Sequence, residues 1–380
     1  MFDFAKLLEI EIEGRRIGGW SKASWDISQE STSQSASLEM FCDVMPDRPV
    51  YPNLVKGAKV KFLLNGYVKI TGEIETRKGK LSKESYSLAI SIKSATEKGK
   101  KGKAKFRKGQ AKDVKLKDIF QEIADNAEIK IDVDGIPDET KAVYNCLGTN
   151  SPERELYLLA LNNGIHLFAD ESGKYKVQED SDNKRGDDLI QGLNFTEFDI
   201  GQGEEKEASE VASVGTKALT DTVRRDETIT SLQKSMMNSK GNGKDVFFVE
   251  GDAGEETLKR VSRYLANRKA AASNGGTLEV FSPLQSSGKP WQAGAIHYVQ
   301  VPSESLYDDM LLKSESGSVS KDSISCSLTI CAKKGMSNKE GDIGGNARGV
   351  LEMKRRGISL NFNSYPFPWN AIIEQEIING

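Results

Sequence analysis

Residues 7–28, LLEIEIEGRRIGGWSKASWDIS, carry the pattern that decides the fold. Leu8, Ile10 and Ile12 alternate with Glu9, Glu11 and Glu13, and Ala23, Trp25 and Ile27 alternate with polar neighbours. Successive side chains of a strand point to opposite faces, so a period of two marks one buried and one wet face. The period returns in Leu38, Met40, Cys42 and Val44, and in Val60, Phe62 and Leu64. It returns again in Val68, Ile70 and Ile74, and in Tyr86, Leu88, Ile90 and Ile92. Such a series of short runs, split by turn residues, predicts an antiparallel barrel over residues 1–96. An open sheet of this length leaves edges that closure or a neighbour must cover.

Composition bounds the rest. A chain of 380 residues is too long for one core, and about two to four domains are expected. With 37% hydrophobic and 29% charged residues it reads as a soluble, turn-rich globular protein. A net charge of −3 gives no global pull toward nucleic acid or anionic membrane. No apolar run approaches the roughly 20 residues that span a bilayer. The opening MFDFAKLLEIEIEG has acids within its apolar part and does not read as a signal peptide. Cys326 and Cys331 lie on one alternating run and face opposite sides, while Cys42 and Cys146 are remote. Neither a disulfide framework nor a zinc site is expected, and synthesis in a reducing cytosol fits.

Outward from the first barrel, residues 97–112 (EKGKKGKAKFRKGQAK) hold eight Lys or Arg against one acid. With a single aromatic, Phe106, for base stacking, this run reads as a solvated, flexible linker rather than a nucleic-acid site. A small α/β domain is expected over 113–192. Leu116, Ile119, Phe120, Ile123, Ala124 and Ala127 share one face at helical spacing. Ser151-Pro152-Glu153 opens a second helix with a capping hydroxyl, a proline at the first position and an acid at the dipole's positive end. Residues 165–178 read as a hairpin around Glu171-Ser172-Gly173. A second barrel is expected from 193–217 plus 283–333, interrupted by an inserted α/β domain at 218–282. Within the insert, 218–245 reads as a mobile loop and about 255–272 as an amphipathic helix. Residues 334–380 read as a linker and an extended C-terminal arm whose end, NFNSYPFPWNAIIEQEIING, is too rich in proline for a regular helix or central strand. The fold class is therefore α+β, with two antiparallel β-barrels, two small α/β domains and the arm.

The residues supply little for catalysis. His166 and His297 are the only histidines, each in an alternating run, and read as structural. Gly241-Asn242-Gly243-Lys244 lacks the spacing and hydroxyl of a phosphate-binding loop, and Asp245 follows the lysine. Asp132, Asp134 and Gly135 match a calcium loop poorly, because Pro137 falls inside it and the closing Glu is misplaced. The paired acids Asp187-Asp188, Glu204-Glu205 and Asp308-Asp309 read as solvated turns. No catalytic, cofactor or metal site is expected, which favours a scaffold.

LEIEIEGRRIGGWSKASWDIS (8–28), LVKGAKVKFLLNGYVKITGEIE (54–75), SPERELYLLALNNGIHLFADESGKYKV (151–177) and GKPWQAGAIHYVQVP, DDMLLKSESGSVS and SISCSLTIC (within 288–331) together carry a resemblance. In order and pattern they resemble the baseplate hub proteins of contractile-tailed, Mu-like phages, and the hub half of type VI secretion spikes. The lysine-rich run and the aromatic tail are not part of that pattern. The resemblance implies a homotrimer in which two barrels per chain make a ring of six. Such a ring adapts the sixfold tail tube to the threefold central spike, around a channel and without covalent chemistry. The implied partners are the chain itself, the trimeric spike, the tube protein, baseplate wedge proteins and the tape-measure chain. Membrane is not among them, and nucleic acid enters only by passage through the channel. The implied place is the virion's tail baseplate, assembled in the host cytoplasm. Trp291 is expected near the second barrel's rim, and Tyr365, Phe367 and Trp369 in a segment that clamps the spike or an adjoining subunit. The alternatives are a tailocin or secretion-system hub and, further off, a cell-wall hydrolase or glycan-binding protein of the tail.

Overall fold

The computed structural model describes residues 7–42, 53–81, 85–107, 109–178, 184–200, 210–217, 227–234, 244–273, 275–304 and 306–339. The first region runs β1 (Leu8–Ile12), β2 (Arg15–Ile17), β3 (Lys22–Ser28), β4 (Ser35–Cys42), β5 (Lys59–Leu64), β6 (Tyr67–Leu81) and β7 (Tyr86–Ser94). Its alternation builds the core that the sequence predicts: Leu8, Ile10, Trp25, Leu38, Phe62, Ile70, Ile74 and Ile90 form one buried cluster. One run departs from the expected phase. A register shift between Phe62 and Leu63 turns Val68 out to solvent and Lys69 in.

A small α/β unit follows, with β8 (Gln110–Lys115), α1 (Leu116–Asn126), β9 (Ile131–Asp132), β10 (Thr140–Asn145), α2 (Pro152–Asn162), β11 (His166–Ala169) and β12 (Tyr175–Gln178). Of the predicted face of α1, Leu116, Ile119, Phe120, Ile123 and Ala124 are buried, while Ala127 lies just past the helix end and is half-buried; at the start of α2 the Ser151 hydroxyl accepts from the Arg154 amide. The chain leaves α2 through Gly164 at φ +61°, where a Cβ would lie 2.6 Å from the backbone nitrogen of Val261. The lysine-rich run differs from its expected solvated linker. Ala104 and Phe106 are buried in this unit's core beside Phe120 and Ile123, because one aromatic finds an apolar pocket even among lysines. Lys98 and Arg107 pair with Glu73 and Glu122, while Lys101, Lys103 and Lys105 remain exposed.

The chain then forms β13 (Leu189–Ile190), β14 (Phe195–Ile200), β15 (Glu210–Lys217), β16 (Glu227–Lys234), β17 (Lys244–Asp252) and α3 (Glu255–Ser273). It ends in β18 (Gly275–Val280), β19 (Ile296–Val301), β20 (Leu306–Ser320) and β21 (Ile324–Ala332). The insert is a three-stranded sheet, β16-β15-β17, with α3 on one face, held by Val249, Leu258 and Val261. Three expectations are corrected here. Residues 218–245, expected as a loop, contain β16, whose backbone pairs with all of β15. Glu210–Lys217, expected in the second barrel, belongs to the insert's sheet, and Gly275–Val280, expected in the insert, pairs with β14 and β21. The linker does not begin at 334: Met336 is buried, and the Asn338 side chain donates to the Gly164 carbonyl at 2.8 Å.

Two separate closed barrels are also not what the strands form. The pairing runs β14-β18-β21-β20-β3-β4-β7-β6-β5-β1-β2 in one 13-stranded sheet, with β19 and β13 branching from β20. The outer edge of β3 is covered by β20 from the far end of the chain rather than by closure within its own region. A sheet edge is satisfied equally well by either route. Two apolar cores flank this sheet junction, the first already described and a second around Phe195, Leu278, Trp291, Val299, Met310 and Leu328. Cys326 lies in this second core and Cys331 in a separate small cluster with Met336, as their opposite facing predicts.

Candidate assembly interface

The long strand β20 joins the two β regions. Its first half pairs with β19, and its second half, Ser314–Ser320, pairs with β3. The switch falls at Lys313, where the β20–β21 register shifts between Leu312 and Ser314. Just beyond it Glu315 points inward, its side chain fully buried. Lys69 of β6 reaches it at 2.6 Å and also donates to the Trp291 carbonyl. The Trp25 indole N–H donates to the other carboxylate oxygen at 2.9 Å. Burial pushes the Glu315 carboxyl above the usual carboxylate range, against the opposing pull of Lys69. Gly317, two residues on, lies under Trp25, and a Cβ there would sit 2.2 Å from the indole. Three strands distant in sequence are thus locked by one buried ion pair with its hydrogen bonds made.

A second polar node ties all four units together. Lys313 meets Glu30 at 2.7 Å, and Arg268 of α3 meets the same carboxylate at 3.3 Å. Burial opposes ionisation of Glu30, but Lys313 and Arg268 outweigh it and hold its carboxyl below the usual range. Beside them His166 of β11 donates from Nε2 to the Gln29 carbonyl at 2.7 Å and accepts at Nδ1 from the Tyr264 hydroxyl at 3.0 Å. Burial, with Arg268 nearby, lowers its pKa to about 4. An unfolded histidine takes its proton near 6.5. Stability from His166 is therefore complete above about pH 6.5 and is lost as pH falls toward 4, by on the order of 3 kcal/mol. His166→Gln flattens the stability–pH curve between those values; unfolding midpoints of both proteins across that range measure it. His297 donates from Nδ1–H to the Asp187 carbonyl at 2.7 Å, and burial lowers its pKa.

Trp291 is only 2% exposed. Its ring packs in the second core 5.4 Å from His297, its N–H donates to the Ser282 carbonyl, and its own carbonyl serves Lys69. It floors a cleft of about 610 Å³ between the two β regions, rimmed by Tyr67, Val68, Arg185 and Asp187. Tyr365, Phe367 and Trp369 lie outside the described residues, so the structure does not bring them to Trp291. Lys69, Glu315, Glu30, Lys313 and Arg268 have no signal in the sequence, since each reads as an ordinary wet-face charge. Among the described residues no group of three or more His, Cys, Asp or Glu side chains could hold a metal ion. No described helix is long and apolar enough to cross a membrane.

This arrangement of β regions bridged by one strand, with an α/β unit and an α/β insert, is a fold shared with solved tail proteins. The chain is similar to the 43 kDa tail protein of prophage MuSo2 from Shewanella oneidensis, with a TM-score of 0.68 at 19% identity over 85% of this chain and 97% of that one. It is similar to a tail protein from Neisseria meningitidis, with a TM-score of 0.67 at 15% identity over 86% and 96%. A type VI secretion component of E. coli, described as structurally similar to bacteriophage T4 tail proteins, matches with a TM-score of 0.52 at 11% identity over 88% and 79%. No protein-family model and no curated protein matches the sequence. Likeness at these identities is a likeness of fold.

Proposed function

We propose that this chain is the structural hub of a contractile-tail baseplate, with a tailocin or secretion-system hub as the second reading of the same fold. The observation that carries it is the pair of β cores joined along β20 in a chain whose fold matches tail proteins over nearly their full length. Each β region acts as one seat of a six-seat ring, so three chains make the ring. Its upper face meets the sixfold tube protein and its lower face the threefold spike. Wedge proteins surround it, and the tape-measure chain or nucleic acid only passes through. The work is mechanical and non-enzymatic, in a virion. Each subunit contact would bury on the order of 2,000 Å². Trp291 serves the interface from beneath, by fixing the loop that rims the cleft, and the 361–380 arm clamps the spike or an adjoining subunit. Solution mass and negative-stain projection test this reading on the full chain and on residues 1–360. The full chain is expected at three times 41.8 kDa as a closed ring. Loss of spike attachment or of the trimer on truncation supports the clamp. A chain that stays monomeric at every concentration with spike present overturns the hub.

A further inference from the structure

A cavity of about 520 Å³ lies between the small α/β unit and the insert. One wall is β10 at 143–145, the opposite wall is β17 at 250–252, and α2 lines it with Glu155, Leu158 and Asn162. Among the described residues β10 pairs only with β8, and β17 only with β15, so each keeps one edge without a ladder partner. The Ala142 and Glu250 amides point across the gap, to the Asp252 carboxylate at 2.8 Å and the Asn162 side-chain oxygen at 3.4 Å. Strand edges of this kind accept an extended segment.

The charge in this cavity is unbalanced. Glu155, Glu250 and Asp252 share it with one cation, Lys141, which already serves Glu139 and the Asp252 carbonyl. Glu155 accepts only from neutral donors, the Tyr144 hydroxyl and the Asn150 amide, each at 2.9 Å. Among the described residues no cation pairs with Glu155 or Glu250. The side-chain oxygen of Asn163, a buried residue in the lining, has no hydrogen-bond partner among them either. Buried acceptors are normally satisfied, so this one points to a missing donor. Apolar surface accompanies the acids: Leu147 in the lining is 83% exposed, and Phe248, two residues before Glu250, is 70% exposed.

We infer that the occupant is residues 348–360 of the same chain, RGVLEMKRRGISL, which lie outside the described residues. This segment has four cations, Arg348, Lys354, Arg355 and Arg356, against one acid, Glu352. It is the one undescribed stretch with three consecutive cations, and Val350, Leu351 and Met353 stand beside them. The chain also leaves the described structure next to the cavity. The Asn338 side chain donates to the carbonyl of Gly164, the residue after Asn163, and the last described residue is Lys339. An extended chain from 339 to 348 reaches roughly 30 Å, ample for entry from that point. The cations meet Glu155 and Glu250, and the apolar side chains cover Leu147 and Phe248. The contact roots the 361–380 arm beside β10 and does not depend on the hub reading.

The test is photo-crosslinking in the full chain, with Leu147 replaced by a benzoylphenylalanine and the products mapped by mass spectrometry. The expected product joins position 147 to residues 348–360 within a single chain, running at the mass of one chain on a denaturing gel. Arg355→Glu with Arg356→Glu, and separately Glu250→Lys, are each expected to lower its yield by about tenfold or more, since like charges then face one another. All three substitutions in one chain restore opposite charges and are expected to restore the yield, which a merely misfolded variant would not do. Crosslinks to another segment or to a second copy alone, a yield that neither charge variant lowers, or no recovery on combining them would overturn the inference.

Discussion

Lys69→Ala is expected to destabilise the protein by about 3–5 kcal/mol, because it leaves the Glu315 carboxylate buried with no cation within reach. The same substitution removes the donor to the Trp291 carbonyl and so loosens both β regions at once. Glu315→Ala is expected to cost a similar amount, since it strands the ammonium and deprives the Trp25 indole N–H of its acceptor. Removing both charges is a different experiment. Lys69→Met with Glu315→Gln keeps an acceptor for Trp25 and leaves no unpaired ion, so most of the single-variant loss is recovered. Denaturant midpoints for the two single variants and the pair decide it. A loss below about 1 kcal/mol in either single variant would show that the ion pair does not hold the seam.

Trp291→Ala is expected to cost about 3–5 kcal/mol, the usual range for emptying a fully packed tryptophan site. The cavity opens between the second core and His297, and the Ser282 carbonyl loses its donor. Trp291→Phe keeps most of the volume and forfeits mainly that hydrogen bond, so about 1 kcal/mol is expected. The two variants also separate packing from assembly. If the proposed ring is right, the Phe variant is expected to keep the rim loop and the trimer, and the Ala variant to lose the loop's floor and assemble less in step with its stability. Equal assembly by both variants at matched concentration would remove Trp291 from any interface role.

The seam and the node were invisible in the sequence for a definite reason. Lys69 sits between Val68 and Ile70 in an alternating run, where the period assigns the lysine to water. A one-residue bulge at Lys69 itself, left unpaired between Ile70 opposite Phe62 and Val68 opposite Leu63, reverses that assignment, and such bulges depend on how two strands pair, not on either alone. Glu315 lies in the polar stretch KSESGSVS, and only the pairing with β3 brings Trp25 over it. Phe106 shows the converse: a single aromatic among lysines was outvoted by its surroundings, yet one apolar pocket sufficed to bury it.

The amino-acid order alone determined the local elements. Leu8, Ile10 and Ile12 had to alternate about a strand, Ser151-Pro152 had to start a helix, and Ile119, Phe120 and Ile123 had to share its inner face. Those outcomes follow from short-range geometry, where side-chain period and backbone hydrogen bonding suffice. The order of strands in the large sheet was decided only in three dimensions. The β3 edge could have been closed by its own region or by any other strand, and β20, almost 300 residues away, took it. With it came the buried charges, because an ion enters an apolar interior only where a partner from another part of the chain is already waiting.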